Sequence, residues 1–160
     1  MARFPRSGCT ARTTLHLIGP QSWTAVPAAL VYDSTDPFAV RVRFGDGAAD
    51  DVDTTSYDDP DDDGGVEWLL SRDLLRSGLT GPIGEGDVRL WPARGGLDVV
   101  FLQLRAPSGE ALFELSGAVV AEFLRETEML VPLGTESEAL SVDDELVALL
   151  RGGTDNPTAL

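Results

Sequence analysis

Residues 36–44, Asp-Pro-Phe-Ala-Val-Arg-Val-Arg-Phe, put Phe38, Val40, Val42 and Phe44 on one side of an extended chain and Ala39, Arg41 and Arg43 on the other. Successive side chains of a strand point to opposite faces, so this stretch can bury only one face. It therefore calls for an antiparallel sheet with a core side and a wet side. The same two-residue period returns along the chain. Leu15 and Leu17 oppose Thr14 and His16 in a strand from Thr13 to Ile18. Shorter strands are predicted over 27–33, 66–70 and 87–91, the last ended by Pro92. A longer one over 97–105 is buried by Val100, Leu102 and Leu104, and 111–115 is its hairpin partner, joined by a turn with Pro107 and Gly109.

Two helices punctuate this pattern. Ser71 can cap a short helix over 72–77, stopped by Gly78. Residues 116–129 are amphipathic, with Val119, Val120, Phe123 and Leu124 in one stripe and Glu122, Arg125 and Glu126 facing water. Residues 80–87 read as a loop and 131–140 as a linker. The order is ββββα followed by βββα, an α+β fold with a mostly antiparallel sheet. A further helix is predicted over 142–151. Ser141 with Asp144 makes a capping box, Arg151 suits the C-terminal end, and Gly152-Gly153 stops it. Its apolar stripe, Val142, Leu146, Leu149 and Leu150, is the candidate contact for a partner or another subunit. Residues 1–12, Arg-rich and broken by Pro5 and Gly8, read as a flexible leader, and 13–136 as a single domain with an acidic insertion at about 46–65. Residues 137–160 supply a linker, this last helix and a loose tail.

Nine of the Asp residues fall between 46 and 63, with no basic residue among them, in a chain whose net charge is −15. Within that run Asp59-Pro60-Asp61-Asp62-Asp63-Gly64 has the opening of a calcium loop. The twelfth position, which must supply a bidentate Glu, is Leu70, and no helix precedes Asp59. The run reads as an acidic loop between strands, and no metal is expected. No cofactor is expected either: all basic residues are Arg, so Schiff-base chemistry and the P-loop lysine are missing, and Gly84-Glu85-Gly86 lacks the third glycine of a dinucleotide turn. Cys9 is the sole cysteine and His16 the sole histidine, with no nucleophile elbow in the sequence. An enzyme is not expected. Arg41, Arg43, Arg89 and Arg105, with Trp91 and Phe101, could in principle stack bases and pair phosphates, so single-stranded nucleic-acid binding is the alternative reading. The summed charge repels a polyanion, and salt bridges are the better use of these arginines. No apolar run reaches a bilayer's span and no signal-peptide core follows Arg3 and Arg6, so a cytoplasmic protein is expected.

Three blocks, "VYDSTDPFAVRVRF", "VEWLLSRDLLRSGLTGPIGEGDVRLWP" and "PSGEALFELSGAVVAEFL" followed by "LVPLGTE", resemble the SsgA-like proteins of sporulating actinobacteria from about Thr13 to Glu136. The resemblance implies a non-enzymatic adaptor of sporulation-specific cell division with a whirly-like fold. It implies a homotrimer that helps to position septum sites and recruit the division GTPase FtsZ, together with other SsgA-like proteins, at division septa. The acidic run 46–65 and the helix 142–151 depart from the shared pattern.

Overall fold

The structure, a computed structural model, describes residues 7–45 and 65–139. Strand β1 (Gly8–Ile18) and strand β2 (Trp23–Asp33) pair along their whole lengths, from Gly8 opposite Asp33 to Ile18 opposite Trp23. Strands β3 (Ala39–Phe44) and β4 (Val66–Ser71) continue the meander, and α1 (Arg72–Ser77) follows. A second meander, β5 (Ile83–Glu85), β6 (Val88–Pro92), β7 (Val99–Ala106) and β8 (Gly109–Ser116), leads into α2 (Gly117–Leu130) and the short α3 (Glu136–Ala139). Pairing of β1 with β8 fuses the two runs into one antiparallel sheet, ordered β4-β3-β2-β1-β8-β7-β6-β5. The α+β class expected from the alternation is the class observed.

The sheet curls on itself. Phe44 of β3 and Phe113 of β8 belong to strands separated by two others, yet their rings stack with centroids 4.9 Å apart on the concave side. That side is the core. Val40 and Val42 from β3, Leu90 from β6 and Leu102 from β7 are buried there, at the inward positions the period of two assigns them. Helix α2 lays Val120, Phe123 and Leu124 against this layer, with Thr127 completing the buried stripe. Each fully buried aliphatic side chain contributes about 1.5–3 kcal/mol.

Five local expectations are corrected. The leader is not loose beyond residue 7: β1 begins at Gly8, because the alternation continues through Cys9 and Ala11, which pack on the core. These inward residues are too small to register as a hydrophobic stripe. Gly8 is required there, since a Cβ would come within 2.6 Å of the Tyr32 carbonyl oxygen. Strand β2 starts at Trp23, upstream of Pro27. The Gly45 amide donates to the Pro27 carbonyl, so the missing proline N–H faces the side where β3 has already ended at Phe44. In the expected loop 80–87, Gly86 at φ 59° makes a tight turn that pairs Ile83–Glu85 with β6, so the second run has four strands rather than three. The linker 131–140 contains α3. Phe38, assigned to the core face, lies just before β3 and is 46% exposed. The segments 46–64 and 140–160, including the Asp59–Gly64 motif and the helix predicted over 142–151, lie outside the described residues.

Candidate functional site

The polar residues singled out by the sequence do not converge. His16 is half-buried on β1, opposite Glu114 of β8, with its ring 6.4 Å from that of Trp23. Cys9 stands at the far end of the same strand, opposite Tyr32. Among the described residues no group of three or more His, Cys, Asp or Glu is arranged to hold a metal ion. Three of the four arginines that the sequence singled out, Arg41, Arg43 and Arg105 but not Arg89, are committed to carboxylates. Arg41 and Arg43 lie 3.8 and 2.9 Å from Glu67 across the β3–β4 pair, and Arg105 lies 2.8 Å from Glu110 across β7–β8. Trp91 and Phe101 stack on each other at 5.7 Å. These exposed pairs are worth at most about 1 kcal/mol each, but they occupy the groups that would meet phosphate.

One buried charge was not legible in the sequence. Arg72, the first residue of α1, is 1% exposed. Its Nη1 donates to the carbonyls of Thr127 and Val131 at 3.2 and 2.7 Å, and its Nη2 to Glu136 Oε1 at 2.6 Å. The guanidinium also lies over the Tyr32 ring, 5.3 Å from its centroid, and the Tyr32 hydroxyl donates to the Pro37 carbonyl. Thr127 and Val131 close the C-terminal end of α2, which has no basic residue of its own in the last turn. Arg72 satisfies the open Val131 carbonyl, adds a second donor to the Thr127 carbonyl, which already accepts from the Val131 amide, and meets the negative end of the helix dipole. The hydrogen bond from Arg72 is the main reason that Glu136 stays ionised below its ordinary pKa of 4.5. Burial, opposed by Arg72, pushes the Tyr32 hydroxyl up. This cluster ties α1, α2 and α3 together and leaves no reactive group open to solvent.

What remains open is surface. Two wide apolar grooves flank the curled sheet, and a third, polar one of about 600 Å³ opens beside β5 and β6 around Arg89 and Trp91. The first, of about 440 Å³, lies between the end strands β4 and β5 beside α1. Phe38, Trp68, Leu70, Leu74 and Val88 line it, with the carboxylates Glu85 and Asp87 at its rim. The second, of about 430 Å³, lies on the concave side around Phe44, Trp68 and Phe113. Val66 and Leu69 on β4 are 60% and 61% exposed, on opposite faces of that end strand. The predicted contact residues Val142, Leu146, Leu149 and Leu150 lie outside the described residues, so none of them is placed against these grooves.

The described residues thus form an open curled sheet with a buried Arg72–Glu136 cluster and apolar, shallow grooves. The chain belongs to the SsgA family: residues 26–136 match the profile described as "Streptomyces sporulation and cell division protein, SsgA". Among its relatives is the sporulation-specific cell division protein SsgB of Streptomyces coelicolor, 40% identical over 145 residues that cover 88% of this chain and 96% of that one. The SsgB of Salinispora tropica is 42% identical over 147 residues, covering 88% and 91%. Two solved structures share the fold. An SsgA-like sporulation-specific cell division protein from Thermobifida fusca superposes with a TM-score of 0.72 at 35% identity, covering 91% of this chain and 98% of that one. A structure from work on SsgB mutations that correlate to longitudinal cell division during sporulation of S. coelicolor gives 0.65 at 37%, covering 85% and 99%.

Proposed function

We propose that this protein is a non-enzymatic adaptor of sporulation-specific cell division, which helps to position septum sites and recruit FtsZ. The observation that carries the reading is kinship with SsgB across nearly the whole of the SsgB chain, at about 40% identity. The geometry is consistent with it. The buried charges of Arg72 and Glu136 satisfy one another and the end of α2, while apolar side chains on β4 are left exposed. In this reading the protein acts as a homo-oligomer, a trimer, at division septa.

Fluorescent fusions in the native organism test the proposal: regular foci that coincide with FtsZ at nascent septa are expected. Diffuse fluorescence through sporulation, with normal FtsZ placement after deletion of the gene, would overturn it. Light scattering tests the assembly separately, with three times the 17.0 kDa chain mass expected. The nucleic-acid alternative gains no support, since Arg41, Arg43 and Arg105 are held in ion pairs.

A further inference from the structure

We propose that the groove between β4 and β5 receives an extended segment of a partner protein, apolar with interspersed Lys or Arg, which adds as a strand to the free rim of β4. The inference rests on the adaptor reading above and names the contact such an adaptor would use.

Three observations converge on it. First, among the described residues β4 pairs with β3 alone and β5 with β6 alone, so both ends of the described sheet present main-chain groups without a strand partner. Both end strands contribute walls to the same groove. A strand laid there would find donors and acceptors in register, the mode by which exposed sheet edges take extended peptides. The six residues of β4 span about 20 Å, enough to pair a segment of similar length. Second, the floor is apolar. Phe38, Trp68 and Leu74 offer a surface for alternate side chains of the incoming strand. Third, the charge at the rim has one sign. Glu85 and Asp87 are exposed and, among the described residues, neither has an ion pair. No basic residue lines the groove.

This last observation selects the occupant. A strand bearing Lys or Arg would neutralise the two carboxylates. Two segments of this chain fit poorly by charge: residues 46–63 carry nine Asp, and the stripe at Val142–Leu150 is interleaved with Asp143, Asp144 and Glu145. Residues 1–6, with Arg3 and Arg6 and no acidic residue, suit the rim by charge and are told apart from a partner by NOEs in the free protein. The second groove lacks this selectivity, because its one carboxylate, Glu110, is already paired with Arg105.

The test uses the full-length chain, isotope-labelled for NMR, and an eight-residue end-capped peptide of alternating Val and Lys. Saturable binding is expected, with the largest amide shifts at Phe38, Trp68 to Ser71 and Glu85 to Val88. A version N-methylated along one edge should bind at least tenfold more weakly, and a version with Glu for Lys should not bind. Phe38→Asp should weaken binding about tenfold and the pair Glu85→Gln, Asp87→Asn about threefold. The pair Glu126→Gln, Glu128→Gln on α2 removes the same charge elsewhere and should leave binding unchanged. The proposal is overturned if no saturable binding occurs, if the shifts spread over the acidic surface, or if the α2 pair weakens binding as much as the groove pair. It is equally overturned if NOEs in the free protein place a second copy or the chain's own residues in the groove. Failure on any of these counts leaves the adaptor reading standing, since that reading depends on septal localisation.

Discussion

Helices α1 and α2 follow equivalent four-strand runs, yet they are held in opposite ways. The six residues of α1 are too few to be helical alone. Ser71 caps them, accepting from the Leu74 amide at 2.9 Å, and burial of Leu74 and Leu75 holds them down. Helix α2, with 14 residues, has two acceptors at its start: Ser116 Oγ for Val119 and Asp98 Oδ2 for Ala118. Its other end depends on a residue of α1. A cation in the first turn works against a helix's own dipole, so Arg72 is misplaced for α1 and well placed for α2. The short helix serves as the mount for the side chain that finishes the long one.

The largest effect should come from removing that side chain. Arg72→Ala leaves Glu136 Oε1 and the Val131 carbonyl without their donor, although Gly134 still donates to Oε2 and the Val131 amide to the Thr127 carbonyl, and breaking a buried pair in this way costs about 3–5 kcal/mol. Urea denaturation should show it, and Arg72→Met combined with Glu136→Leu should recover much of the loss. If the single variant is as stable as the parent, α2 does not depend on α1.

Acid should weaken the same junction less, because a protonated Glu136 still accepts from Arg72. The carboxyl is held below its ordinary value in the folded protein, so its stabilisation is complete above pH 4.5. It is lost as pH falls through the lower folded value. Melting temperature should therefore drop on acidification below 4.5, and by less in Glu136→Gln.

The glycines separate the helices further. A Cβ on Gly78 would stand 2.6 Å from Leu90 Cβ, an atom fixed to the backbone of β6, which is paired on both sides, so Gly78→Ala should cost about 1–3 kcal/mol. Gly117→Ala meets Asp98 Oδ1 at the same 2.6 Å, but that side chain can swing away at the loss of one cap, about 1 kcal/mol. Thermal melts of the two variants should rank them in that order. Smallest is the difference between caps. Ser71→Ala should cost about 1 kcal/mol and Ser116→Ala less, since Asp98 keeps one amide of α2 satisfied. Equal losses would show that Asp98 does not share the load.

The strands that were legible were those whose inward residues are large. Val40, Val42 and Phe44 announced β3, and Leu102 and Leu104 announced β7. The first five residues of β1 were hidden because Cys9 and Ala11 fill the same role with little bulk, and β5 because three residues carry no period. Helices α1 and α2, and the Ser71 cap of the first, were readable from local chemistry. Arg72 was not: an arginine after a helix cap looks like solvent-facing charge. Its partners lie more than fifty residues away, and no local spacing encodes them. The open rim of β4 was equally hidden, since edge position is a property of strand order and not of the strand's residues.

The reach of Arg72, 55 residues to Thr127 and 64 to Glu136, also bears on how the chain assembles. As the polypeptide leaves the ribosome, the first meander and its guanidinium are made well before the end of α2. That charge must wait in water, and the final turn of α2 stays frayed until the halves meet. Contacts so distant in sequence are closed late and slowly, so docking of the two halves is the step at which a newborn chain is most open to proteases and chaperones.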